Sequence, residues 1–352
     1  MSFTHLNISS AYSAHYGVSR PEIMVAGASA MGFEALAITD RDGLYGAVKH
    51  IGACIKSGIY PIVGVNLEVH SKLSSLGRVV VLAHGHDQGA GWAAICRVVS
   101  KAWQKPGRNR QVAINIEDLA AITQSTAANC TILLGPESSL GKTVLVNPVA
   151  ASEILRTWTD LFGLQGSLAV ELVNQLTEPG SIGSEEHARA MHQIAKANNL
   201  PAVLTNAVRY LNPDDALTAD VLDSARHLEP LGVFLPQPNA QAWLKPDSQM
   251  AQLALEITES SKDSLELISN TQALARRCYL EPVSDCGWGQ PKTPEQSALG
   301  ITENPFEVLW QKAHSAIDWR YPNAKASLLA QVQHRLSKEL IAINQLGFAT
   351  YF

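Results

Sequence analysis

An alternation of strand-like and helix-like segments runs through the first two-thirds of the chain and limits what it can become. Short β-rich runs at Phe3–Ile8, Ala35–Thr39, Tyr60–Val65, Val79–Ala83, Thr131–Leu134, Ser167–Leu172 and Ala202–Thr205 predict seven strands. Between them, Arg20–Met31, Leu44–Ser57, Gly91–Ala102, Val149–Phe162, Ser184–Asn199 and Pro213–Arg226 repeat apolar residues at three and four, the period of a helix with one buried face. Leu44, Val48, Ile51 and Ile55 form one such stripe. Strands that alternate with helices are joined by crossovers and run parallel, and seven of them predict an α/β barrel in preference to an open sheet. In a barrel of that kind the chemistry sits at the C-terminal strand ends.

The remainder of the 352 residues reads as appendage. Leu73–Gly77 and Lys105–Val112 are polar surface excursions, and Glu229–Asp247, with Pro230, Pro236, Pro238 and Pro246, is an ordered but irregular connection. A second such stretch, Pro282–Pro305, leads to a helical tail over 305–345 with Leu328, Val332, Leu336, Leu340 and Ile343 on one face. The expected division is a barrel with its extension over 1–281 and a linker with helices over 282–352. There is no internal repeat. The longest apolar runs fall far short of the roughly 20 residues that span a bilayer. The first residues also lack a basic and apolar leader, so the expectation is a cytoplasmic chain with no membrane partner. Five cysteines, odd in number and without a CxxC, read as reduced packing residues. Lys+Arg 27 against Asp+Glu 32 gives a net charge of −5, which excludes a global basic field for nucleic acid.

Two motifs invite chemistry and are weaker than they look. Gly135-Pro-Glu-Ser-Ser-Leu-Gly-Lys-Thr143 resembles a phosphate-binding loop, but the required glycine is replaced by Pro136, which has no N–H for a phosphate. The residues after Thr143 also read as extended and not as a helix start. His84-Gly-His86-Asp87 could be a metal fragment past a strand end. It would need further ligands from His5, His15, Asp40, Asp42, Glu68 or His70.

Longer stretches carry a family resemblance. Phe3-Thr-His-Leu-Asn-Ile-Ser-Ser-Ala-Tyr-Ser, Ala35-Leu-Ala-Ile-Thr-Asp-Arg-Asp-Gly-Leu-Tyr-Gly-Ala-Val, Pro61-Ile-Val-Gly-Val-Asn-Leu and Leu204-Thr-Asn-Ala-Val-Arg-Tyr-Leu resemble successive motifs of the polymerase and histidinol phosphatase (PHP) domain. More narrowly, they are similar to the PHP domain at the N-terminus of bacterial DNA polymerase III alpha subunits. Pro238-Asn-Ala-Gln-Ala-Trp-Leu-Lys-Pro-Asp-Ser-Gln-Met resembles a segment of that family's error-prone branch, and Glu339–Phe352 resembles the helix entering the polymerase palm.

The resemblance implies a distorted seven-stranded (β/α) barrel whose rim, in active members, holds three metal ions for phosphoester hydrolysis through His and carboxylate ligands. The corresponding positions here are Asn7 and Ser9 for the first His pair, Tyr16 for an Asp and Arg41 for the His of the Thr-Asp-His motif. They continue with Asn66 for a Glu, Arg78 for a His, Pro136 for a Cys or His, and Ala207 and Arg209 for an Asp and a His. Every one has lost its metal-binding group. Arg41, Arg78 and Arg209 donate hydrogen bonds, do not deprotonate, and repel a divalent cation. They could pair with Asp40, Asp42 or Glu171 as a structural scaffold, or bind an anion such as phosphate or pyrophosphate; a half-buried Arg usually finds a carboxylate, which favours the scaffold.

Polymerase chemistry needs palm carboxylates that hold Mg2+, and no Pro-Asp-x-Asp occurs here. The resemblance therefore implies the N-terminal part of an error-prone polymerase III alpha subunit. It is expected to carry no catalytic residue and no metal or other cofactor, and to have neither polymerase nor phosphoesterase activity by itself. Its expected partners are the remaining polymerase domains, DNA through the complete enzyme only, and the sliding clamp and other translesion proteins. The alternatives are a stand-alone metal-dependent phosphoesterase or 3′–5′ exonuclease, and a split-gene interaction module.

Overall fold

The computed structural model describes residues 3–72, 74–104, 112–124, 128–163, 166–233 and 237–352. The chain forms two compact units, residues 1–288 and 289–352. The first contains, in order, α1 (Pro21–Ala30), β1 (Ala35–Ile38), α2 (Ala47–Ser57), β2 (Tyr60–His70), β3 (Ser75–Ala83), α3 (Ala90–Trp103), β4 (Ala113–Asn115), α4 (Ile116–Thr123) and β5 (Cys130–Leu134). It continues with α5 (Ser139–Thr143), α6 (Pro148–Leu161), β6 (Leu168–Val173), α7 (Glu185–Ala197), β7 (Ala202–Thr205), α8 (Ala216–His227), α9 (Asp247–Thr258), α10 (Ser261–Arg277) and α11 (Pro282–Cys286). Side chains written into the sequence start several helices. Ser184 caps α7 through the His187 N–H, Ser260 caps α10 through the Asp263 N–H, and Asn147 caps α6 through the Ala150 N–H.

The strands form one curled sheet in the order β1-β2-β3-β5-β6-β7, with β4 paired to the far end of β2. The β1/β2, β5/β6 and β6/β7 pairs are parallel, but β3 runs antiparallel to both β2 and β5. The expected all-parallel barrel is therefore a mixed one. Only residues 71–74 separate β2 from β3, too few for a parallel crossover, so the chain must fold straight back. The excursion expected over 73–77 shrinks accordingly, because Ser75–Gly77 already belong to β3; Leu73 lies outside the described residues. Of the 105–112 excursion only Val112 is described, and the following β4 was too short to read from pattern.

The expected first strand, Phe3–Ile8, is irregular, with a single bridge from Ile8 to Val208. It still fills the gap between the first and last strands. On one side Ala37 N–H donates to His5 O and Thr39 N–H to Ile8 O, at 3.1 and 2.8 Å; on the other, Ser9 N–H donates to Val208 O and Val208 N–H to Asn7 O, both at 2.9 Å. This segment closes the barrel.

Alternation along the strands splits the apolar core in two. Leu6, Ile62, Val80, Leu82, Leu133, Ala169 and Val203 form one cluster, closed at its base by Leu274, Ala275 and Cys278 around the end of α10. Their strand neighbours, such as Val81, Ile132, Val170 and Leu204, join Ile95, Leu155, Trp158 and Met191 from the helices outside. Burying both strand faces produces the continuous apolar runs of the sequence. In α2 the expected stripe is corrected. Ala47, His50, Ile51 and Cys54 are buried, whereas Val48 and Ile55 are exposed. The helix begins at Ala47, and His50 turns inward because its Nε2 meets Leu36 O at 2.9 Å.

All five cysteines are free thiols. In the second unit α12 (Pro305–Arg320) and α13 (Ala326–Gln345) pack together, and of the expected α13 stripe Leu340 alone is fully buried. Among the described residues no helix is long and apolar enough to cross a membrane.

Candidate functional site

A cavity of about 220 Å³ opens at the rim, over the C-terminal ends of β5, β6 and β7 and the beginning of the reversed β3. Asn7, Ser9, Tyr16, Asn66, Arg78, Pro136, Ala207 and Arg209 line it, so the fold gathers eight of the nine marked positions in one place. The ninth, Arg41, lies against Tyr16, its guanidinium carbon 3.5 Å from the ring centroid. The reversal of β3 puts Arg78 here, because the start of an antiparallel strand stands level with the ends of its neighbours.

Each guanidinium is engaged. Arg41 follows β1 and forms an ion pair with Glu137. Arg78 donates from Nε to Asn66 Oδ1 at 2.7 Å and from Nη2 to Asp42 Oδ1 at 2.8 Å. Arg209 follows β7 and donates from Nη1 to Asp223 Oδ2 at 2.9 Å and from Nη2 to the Tyr16 carbonyl at 3.0 Å. Asp223, on α8, also accepts from Arg226 Nη2 at 2.7 Å. The Tyr16 ring lies close to two cations, with Arg209 at 4.0 Å from its centroid as well as Arg41, an arrangement that draws on the negative face of the ring.

Of the three carboxylates proposed as partners, only Asp42 takes an arginine. Asp40 instead accepts from the Ser10 N–H at 2.7 Å and from the Ser10 and Ser13 hydroxyls at 2.9 and 2.8 Å. Glu171 Oε1 accepts from Asn7 Nδ2 at 2.7 Å and Thr205 Oγ1 at 2.6 Å. Burial, only partly offset by these hydrogen bonds, pushes both carboxyls above the usual carboxylate range. Burial works the same way on Glu137, but the charges of Arg41 and Arg78 outweigh it and hold this carboxyl below its ordinary value. Sequence reasoning missed Glu137 and Asp223. Glu137 adjoins a marked position and is 96 residues from its partner, while Asp223 sits in an ordinary helical pattern that carries no signal.

The His84-Gly-His86-Asp87 group stands elsewhere. Because β3 is reversed, its last residue pairs with the first residue of β5, at the end of the barrel opposite the rim. His84 is buried there between Ala128 O and Thr131 Oγ1, at 2.7 and 2.8 Å, and burial lowers its pKa to about 4. His5 is likewise core, with Nε2 at 2.8 Å from Lys245 O, while His15 is exposed in a loop. The loop after β5 is no phosphate cradle either. The Ser138 hydroxyl caps the five-residue α5 through the Gly141 N–H, and Lys142 is exposed. Residues 144–146 form a turn and not the expected extended stretch.

The sequence resemblance implies a metal cluster at this rim, and the donor set does not fit one. Among the described residues no group of three or more His, Cys, Asp or Glu could hold an ion. The cavity's two carboxyls are Glu137, already paired with Arg41, and Glu171, which burial keeps inclined to hold its proton.

Comparison with known proteins places this geometry. Residues 5–175 match the PHP domain. Over 99% of its length the chain is 28% identical to DNA polymerase III subunit alpha of Buchnera aphidicola from Schizaphis graminum, and 27% identical to that of Escherichia coli K12. Over its full length it is 28% identical to the error-prone DNA polymerase of Symbiobacterium thermophilum. The chain spans only 29% of the length of the first two and 31% of the third.

Proposed function

We propose that this chain, whose residues 5–175 match the PHP domain, is the PHP portion of an error-prone polymerase III alpha subunit, working as a metal-free scaffold. The barrel over 1–281 is the scaffold proper, and residues 282–352 lead toward a palm. DNA synthesis, with Mg2+ held by palm carboxylates, belongs to the complete enzyme in the cytoplasm. That enzyme would contact DNA, the sliding clamp and other translesion proteins. A net charge of −5 suits a part that leaves the grip on DNA to other domains.

One observation carries the reading. The rim positions that hold metal ligands in active relatives here hold Arg41, Arg78 and Arg209, each tied to a carboxylate. An ion pair cross-links loops as a shared metal would, without a nucleophile or a Lewis acid. Elemental analysis of the purified protein, together with a model phosphodiester assay, tests it. The expected result is no stoichiometric zinc or manganese and no turnover; bound metal with chelator-sensitive hydrolysis would overturn the proposal.

A further inference from the structure

The rim cavity keeps open polar groups after its ion pairs are made. Arg78 and Arg209 are held by Asp42 and Asp223, and Glu137 by Arg41, so an entering anion meets guanidiniums already neutralised. Glu171 Oε2, the Ser9 hydroxyl and Arg78 Nη1 are among the lining atoms that none of the hydrogen bonds between described residues uses. Glu171 is 2% exposed, and its Oε2 lies against the bare Cα of Gly135, where a Cβ would overlap it. The glycine thus leaves that oxygen standing in the cavity wall. Asn7 and Ser9, two apart in an extended segment, present the same face, and Asn7 already donates to Glu171. Ser9 therefore stands on the same side. Burial raises the Glu171 carboxyl above its ordinary range, so over a wider span of pH it offers a proton as well as a lone pair.

We propose that this cavity binds an uncharged polar small molecule of pentose or nucleobase size, whose hydroxyl or amide groups bond Glu171, Ser9 and Arg78. A buried carboxyl with one oxygen outside its hydrogen bonds to Asn7 and Thr205 favours a ligand that both donates and accepts, and the balanced charge of the walls disfavours phosphate. The inference rests on the metal-free reading of the rim.

Saturation-transfer NMR on chelator-treated protein, with ribose, uracil, inorganic phosphate and pyrophosphate as separate probes, tests it. Ribose or uracil should give transfer that Ser9→Val abolishes and that Glu171→Gln weakens by about tenfold, the loss expected for one buried hydrogen bond. Should Glu171→Gln fail to fold, Ser9→Val carries the test alone. No transfer from either uncharged probe at millimolar concentration, transfer undiminished by Ser9→Val, or transfer from the phosphates alone would each overturn the proposal. Metal measured in the untreated protein bears on the scaffold reading, and probe binding that persists after chelation still supports the uncharged ligand.

Discussion

The rim of the barrel and the wall below it solve the same problem, polar groups out of water, in opposite ways. At the rim Arg41, Arg78 and Arg209 keep their charge and take carboxylates. Below it, His5, His50 and His84 are held neutral, each against a backbone carbonyl, with burial lowering their pKa to about 4. A guanidinium cannot discard its proton, so it must be paired; an imidazole can, so it is stripped. The difference teaches which polar residues can tolerate substitution and which pH will find the weak point.

The comparison breaks first at Arg209. Arg209→Ala leaves Asp223, 4% exposed, with Arg226 alone, and should cost about 3–5 kcal/mol in urea unfolding, the penalty for opening a buried pair. A loss below about 1 kcal/mol would mean that the pair is solvated. The histidines come next. Each folded pKa lies below the unfolded value, so unfolded chains take up the proton first. Stability is complete above pH 6.5 and falls as pH drops toward 4, by up to about 3 kcal/mol per histidine. Melting temperature followed across that window should decline steeply, and His84→Asn should flatten part of the decline. Tyr16→Leu removes the ring between Arg41 and Arg209 and should cost about 1–2 kcal/mol; a double-mutant cycle with Arg41→Met that shows no coupling would refute the stack. The smallest effect belongs to Ala207, which holds φ at +43° on the cavity edge. Ala207→Gly should raise stability by about 0.5 kcal/mol in the same urea assay.

The βα alternation was legible in the sequence, because buried strands are local facts. Direction was not. An apolar run such as Val79–Ala83 reads the same whichever way it points, and only the short 71–74 link betrays the reversal that sends His84 away from the rim. The stripe Val48 and Ile55 misled because α2 buries a histidine and a cysteine in their stead. Partners across the fold stayed hidden for a related reason. Glu137 meets Arg41 only once β1 and β5 have been placed in one barrel, and nothing near either residue announces the other.

The segment that closes the barrel also sets a schedule. Its bonds to β1 form between near neighbours in the chain, but its bonds to Val208 wait for residues made roughly 200 positions later, and long loops close late. During synthesis residues 3–9 can lie against β1 as an unpaired edge, open to other strands, until β7 emerges. The last stave to arrive, not the first, decides when this barrel stops being sticky.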